Sequence, residues 1–195
     1  MTLKPKLRSH QHQAEEQGAV RKGWGNRVRI ALIFPNRYEV GMSNLGLQSV
    51  YGALNAPDDF LCERVFLPGP DELRELKRGS GSLVSLESRR PLRDFDFLCF
   101  SLPFENDYPN ALEILGLGRI PVRQTDRSGN FPVVAMGGVA SFLNPEPMAP
   151  FMDFTFVGES EALLPRFMDF VRTNPPPNSD RTEWLRRLAI EGAGI

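Results

Sequence analysis

The stretch Val28–Phe34 (VRIALIF) decides the fold. It is apolar at nearly every position and partly β-branched, which is how a strand buried on both faces of a parallel sheet reads. Pro35 and Asn36 end it. Phe97–Leu102 (FLCFSL) reads the same way, and Leu61–Leu67 (LCERVFL), Pro132–Met136 (PVVAM) and Asp153–Val157 (DFTFV) read as the second, fourth and fifth strands. Helical patterns lie between them. Asn44 caps one that carries Leu45, Leu47, Val50, Tyr51 and Leu54 near helical spacing. Asp71 caps a short one through Leu76, closed by Gly79 and Gly81, and Asp107 or Asn110 opens another with Leu112, Ile114 and Leu115. Leu163–Val171 and Thr182–Ile190 supply the last two, the latter with Trp184, Leu185 and Leu188 on one face. Residues 37–43 and Asn144–Met148 read as loops, the second with room for a single turn. Five strands alternating with helices predict an α/β fold: a flavodoxin-like, doubly wound, five-stranded parallel sheet of the Rossmann-like kind. Right-handed crossovers and a switch point between the first and third strands place a crevice at the carboxyl ends of the strands. The loops after Phe34, Leu102, Met136 and Val157 are therefore where function is sought.

Outside that core, residues 1–26 are polar and rich in Lys, Arg, Gln and His, and read as a flexible leader or loosely attached arm, with Gln13–Gln17 as a short helix candidate. Residues 27–173 form the α/β domain. Residues 174–195 hold the Pro175-Pro176-Pro177 linker and the final helix. Composition removes several functions. With 23 Lys+Arg against 24 Asp+Glu in 195 residues, the net charge of -1 argues against a dedicated nucleic-acid binder. No apolar run is long enough to span a bilayer and no signal peptide is visible, so the chain reads as cytosolic, with no membrane partner. Two cysteines, Cys62 and Cys99, cannot by themselves hold a four-thiolate zinc or iron–sulfur site. Both histidines fall in the leader, which leaves no histidine for a zinc site or a Ser-His-Asp triad in the domain.

The usual occupants of such a crevice can be tested against its first loop, PNRYEVGMSNLG. It lacks the G-x-G-x-x-G that brings backbone up to a pyrophosphate. Gly41 and Gly46 have the glycine spacing of a P-loop, but Leu47 and Gln48 stand where Lys and a hydroxyl are required. Asn36 and Ser101 occupy the acidic positions of a phosphoacceptor receiver, and Ser43 alone is a thin phosphate loop for a flavin mononucleotide. Gly137-Gly138 ends the fourth strand. It reads first as a tight turn needing positive φ, and second as a close approach of backbone to a flat ligand. Carboxylates at Glu39, Glu105, Asp107, Glu146 and Glu159 fall near strand ends, yet spacing assigns no acid–base pair among them.

The segment Met136–Leu164 (MGGVASFLNPEPMAPFMDFTFVGESEALL) resembles the cobalamin-binding domains at the N-terminus of radical S-adenosylmethionine proteins. The resemblance rests on Gly137-Gly138 after the fourth strand, Pro145-Glu146, and Gly158-Glu159-Ser160-Glu161 after the fifth. The stretches PNRYEVGMSNLGLQSVYGALN and SLESRRPLRDFDFLCFSLPFENDYPNALEIL are similar to one uncharacterised subfamily, so that the likeness spans about Val28 to Val171. It implies a corrinoid at the strand ends. Asn36, Tyr38, Gly41 and Met42 would face the corrin, and Ser101, Leu102 and Phe104 would lie near the nucleotide tail. Gly137, Gly138 and Val139 would let the tail run close to the backbone, and Glu146, Gly158 and Glu159 would close the other side. The implied partner is a radical S-adenosylmethionine catalytic domain or subunit, with the chemistry residing in cofactor and partner.

Two departures from the family pattern bear on this. The C-x-x-x-C-x-x-C cluster motif is missing, so no iron–sulfur cluster is expected in this chain. The D-x-H-x-x-G loop that ligates cobalt in cobalamin mutases and methyltransferases is also missing, which leaves Asn36, Tyr38 or Met42 as weaker contacts beneath the metal. The rival reading is a structural module that has lost its ligand and docks on a radical-enzyme barrel, through the linker and an exposed Trp184 stripe. An open crevice favours binding, whereas one filled by Tyr38, Phe104, Phe142 or Tyr108 favours docking.

Overall fold

Strand β1 (Val28–Phe34) spans the residues its apolar run predicts and is buried from Ile30 onward. It lies inside a five-stranded, all-parallel sheet with β2 (Phe60–Phe66), β3 (Phe97–Ser101), β4 (Val133–Gly137) and β5 (Phe154–Thr155), in the order β2-β1-β3-β4-β5. That is the flavodoxin-like order, with the reversal between β1 and β3. The computed structural model describes residues 16–79, 81–127, 131–176, 180–192 and 195. Most of the leader (both histidines included), Pro177 of the linker and Ala193-Gly194 lie outside the described residues.

Because successive side chains of a strand point to opposite faces, the sheet builds two cores. Ile30, Leu32, Phe34, Phe97, Cys99 and Val133 face one of them. Helices α2 (Leu45–Asn55), α6 (Ser160–Thr173) and α7 (Arg181–Glu191) cover it with Leu47, Tyr51, Leu54, Phe167, Trp184 and Leu188. Ala31, Ile33, Leu98, Phe100, Val134 and Met136 face the other. There α4 (Tyr108–Leu117) supplies Ala111, Ile114 and Leu115, and α3 (Pro70–Arg78) packs Leu76 at the margin. Two short helices, α1 (Tyr38–Met42) and α5 (Val139–Leu143), sit in the loops after β1 and β4.

Several boundaries differ from the sequence reading. Asn44 does cap α2, its side chain accepting from the Leu47 amide at 2.9 Å. The cap of α3 is Gly69, with Pro70 in the first turn, so Asp71 lies inside the helix. Helix α6 starts a turn before Leu163, because the Glu159 carbonyl accepts from both Ala162 and Leu163 at 3.1 Å, which leaves Pro165 within the helix. Strand β5 is only two residues long. Residues 37–43, read as loop, contain α1.

The described part of the leader, residues 16–26, is tied to the domain. The Lys22 ammonium donates to the carbonyls of Asn55, Pro57 and Phe60 at 2.6, 2.6 and 3.0 Å, capping the end of α2. The Trp24 indole donates to Glu63 at 3.0 Å. Glu16 pairs with Arg64, whose guanidinium also binds Glu87 and lies 4.6 Å over the Tyr51 ring. These contacts explain how Glu63 and Arg64, two charges on an edge strand, are each buried. The strap and residues 85–88 cover that edge, with Leu86 donating to the Arg64 carbonyl and Glu87 accepting from its amide. At the other end, Trp184 and Leu188 are buried in the first core rather than forming an exposed stripe, and the Trp184 indole donates to the Asn174 carbonyl at 3.1 Å. The docking reading loses the surface it invoked there.

Candidate functional site at the strand ends

The loops after β3, β4 and β5 enclose a cavity of about 290 Å³ on the face covered by α2 and α6. Its floor and walls are apolar: Leu32, Val50, Leu54, Phe156, Leu163 and Phe167. Its rim is built from Ser101, Gly137, Gly138, Val139, Gly158 and Glu159. Six of the residues singled out from sequence therefore meet around one opening.

The two glycines at the rim have different reasons to be glycine. Gly138 has φ +106°, and a Cβ there would come within 2.7 Å of the Leu102 carbonyl oxygen and 3.0 Å of its nitrogen. This close approach joins the two loops: Leu102 donates to the Gly137 carbonyl at 2.8 Å and accepts from Ala140 at 3.1 Å. Leu102 is consequently a buried seam residue. A Cβ on Gly137 would meet only Phe156, at an ordinary 3.4 Å. The turn reading thus belongs to Gly138, and Gly137 keeps the cavity wall low.

The loop after β1 goes elsewhere. Asn36 donates to Asp107 at 3.1 Å, and Asn110 ties the same loop down by donating to the Pro35 carbonyl at 3.0 Å. Burial pushes the Asp107 carboxyl up from its ordinary value, while the Asn36 and Asn110 amides pull it down. Tyr38 stacks edge-on against Phe66 and donates to Glu16. Gly41 is buried where any side chain would run into the rings of Phe66 and Phe34. The Met42 sulfur accepts from Arg64 at 3.2 Å. Asn36 is thus engaged with Asp107 after β3, and Tyr38, Gly41 and Met42 with groups on the β2 side, and none of the four lines the cavity. Glu146 sits exposed in a single 3-10 turn, Glu146–Met148, also away from the lining.

Exposed apolar side chains gather at this end of the sheet. Among the described residues, the large apolar side chains left exposed are Val40, Leu45, Phe104, Val139, Phe142, Leu143 and Val157, which all follow the carboxyl end of a strand, and Ile190, which does not. Phe104 is 66% and Phe142 63% exposed. Scattered single exposed apolar residues would need no explanation, whereas these gather at one end of the sheet. Tyr108 does not fill the crevice; its hydroxyl reaches the Ala140 and Asn144 carbonyls at 3.3 and 3.1 Å. Phe142 lines the cavity without closing it. Phe156, Leu163, Phe167 and Val50 escape the sequence reading because their spacing marks them only as core. Cys99 also lines the cavity, its thiol pushed up to about 12 by burial, so it stays neutral. Among the described residues no cluster of His, Cys, Asp and Glu is arranged to hold a metal ion, and no helix is long and apolar enough to cross a membrane.

The fold and the site define a doubly wound α/β domain with a ligand-sized opening at its strand ends, on the side of the sheet where such folds bind cofactors. The chain belongs to a particular family of this kind: the model described as "Radical SAM proteins, N-terminal" matches residues 46–194. It is also similar to an uncharacterised protein of Methanocaldococcus jannaschii, 26% identical over 132 residues. That alignment covers 68% of this chain and 24% of the relative, so the chain spans about a quarter of the curated relative it matches. No solved structure gives a significant match.

Proposed function

We propose that this domain holds a corrinoid for a radical S-adenosylmethionine catalytic domain or subunit. The observation that carries the reading is the open apolar cavity beside Gly137-Gly138, lined in part by exposed Val139 and Phe142, with exposed Phe104 and Val157 in the loops after β3 and β5. At about 290 Å³ the cavity sits at the low end of small-molecule pockets, roughly 300–1,000 Å³. It is too small for a corrin macrocycle but suited to the nucleotide tail, with the macrocycle lying on the apolar rim outside. The bound group would supply a methyl-carrying cobalt centre. The chain's own residues would bind and orient it: Phe156 and Phe167 against the tail base, Ser101 within reach of a polar group, Val139 and Phe142 under the ring.

The cobalt would receive no imidazole from the described residues, and the side chains of Asn36, Tyr38 and Met42 are already engaged. The part of the rim not covered by the macrocycle would meet the catalytic partner.

Titration with hydroxocobalamin and methylcobalamin, followed by visible absorption and melting temperature, tests this. A ligand at a hundred times its Kd stabilises by about 2.7 kcal/mol, which for a chain of this size is a shift of roughly 5–10 °C. Phe142→Asp should abolish the shift without unfolding the protein, since Phe142 is exposed. Absence of saturable binding with both forms would overturn the proposal.

A further inference from the structure

Among the described residues lining the cavity, Glu159 alone carries a charge; no Lys, Arg or His reaches it. A pocket for a phosphorylated ligand ordinarily shows the reverse, with cations or a glycine-rich amide cradle around the phosphate. Backbone amides at the glycine-rich rim favour an anion here, as does the N-terminus of α6, which starts at Ser160 beside the opening. Its partial charge, of about half a unit, is opposed by Glu159 at the N-cap position and by Glu161 in the first turn. The Ser160 hydroxyl, the other polar group at this corner, is turned to Glu161 at 3.1 Å. The balance at the mouth is negative.

We infer that Glu159 is a charge filter, which makes the cavity a seat for an uncharged aromatic base with its sugar and keeps any phosphate outside. The apolar walls and the two rings, Phe156 and Phe167, 5.3 Å apart and nearly perpendicular, suit a flat heterocycle. The carboxylate accepts hydrogen bonds from sugar hydroxyls and repels a phosphate placed at the same depth. Like charges about 5 Å apart at a partly solvated surface disfavour each other by roughly fivefold or more, and added salt weakens this. The inference rests on the cavity being the ligand seat proposed above, but does not require the ligand to contain cobalt. For a corrinoid it means that the base and ribose enter while the phosphodiester stays at or beyond the mouth.

The test measures binding of 5,6-dimethylbenzimidazole riboside and adenosine, each against its 5′-phosphate, by calorimetry at low and moderate ionic strength. The expected result is a riboside bound about tenfold more tightly than its phosphate. That ratio should fall below about threefold in Glu159→Gln and at higher salt, and invert in Glu159→Lys. Glu159 is exposed, so both variants are expected to fold; by melting temperature Glu159→Gln should stay close to the parent, and Glu159→Lys should fall by a few degrees at most because it sets a cation at the N-terminus of α6. A phosphate that binds as well as the riboside, a ratio unchanged in Glu159→Gln, or no binding of either riboside at millimolar concentration overturns the inference. Charge-selective riboside binding without hydroxocobalamin binding supports it and overturns the corrinoid reading alone. Corrinoid binding with no charge selectivity does the opposite.

Discussion

Replacing Gly138 by Ala tests whether the seam between the β3 and β4 loops shapes the cavity. At φ +106° and ψ 178° the backbone lies where only glycine is comfortable. That alone costs an alanine about 1–3 kcal/mol. The added Cβ would also sit 2.7 Å from the Leu102 oxygen, and backbone cannot swing aside as a side-chain tip can. Relief would stretch the Leu102–Gly137 and Ala140–Leu102 hydrogen bonds, each worth about 1 kcal/mol. The sum is roughly 2–4 kcal/mol, a fall in melting temperature of about 5–15 °C for a domain of this size. Gly137→Ala is the matched control: its Cβ meets Phe156 at 3.4 Å and its stability should stay within about 1 kcal/mol of the parent. Calorimetry on both variants decides. A Gly138→Ala protein melting within 1 °C of the parent, or a Gly137→Ala protein equally damaged, would refute the assignment of the two glycines to different tasks.

Other consequences follow from the packing. Arg64→Met leaves Glu16 and Glu87 beside a buried gap without their cation and should cost about 3–5 kcal/mol in urea denaturation; a loss under 1 kcal/mol would mean that the strap does not bind as described. Trp184→Ala removes a buried ring packed against Phe97 and Phe170 and should cost about 3–5 kcal/mol, whereas a helix merely leading away from the domain would tolerate it. Cys62 and Cys99 are buried, with thiols raised by desolvation, so neither should react with iodoacetamide at pH 8 over a time in which the urea-unfolded chain is labelled at both. Rapid native labelling of Cys99 would mean that the cavity opens more deeply than its walls indicate.

The sheet was legible because its central strands are buried on both faces. From Ile30 to Phe34 and from Phe97 to Phe100 these strands carry no polar residue, Arg29 lying at the entrance of β1 and Ser101 at the end of β3, and that pattern fits little else. Strand β5 was overestimated because DFTFV alternates across its whole length, yet only Phe154 and Thr155 pair, with Ala135 and Met136. Helix α1 was invisible: five residues with no capping side chain carry no periodic signal. The strap at 16–26 looked loose because its holding contacts are long-range and polar, Lys22 to the end of α2 and Glu16 to Arg64, and no local pattern encodes them.

The site divided along the same line. Ser101, Gly137, Gly138, Val139, Gly158 and Glu159 meet because they end adjacent strands of a parallel sheet, which topology alone dictates. Asn36, Tyr38, Gly41 and Met42 follow the neighbouring strand β1, but Asp107 holds Asn36 on the β3 side, while the ring of Phe66 and the Arg64 cluster draw Tyr38 and Met42 toward β2. A sequence cannot show on which side of a strand end a loop will lie when buried ion pairs decide it.

The most direct test is a crystal structure of this protein grown with hydroxocobalamin. The tail base is expected in the cavity between Gly137–Val139 and Phe156, its phosphodiester at the Glu159 mouth, and the corrin against Phe142 and Val157. A corrinoid bound anywhere else, with that cavity holding only solvent, would contradict this placement.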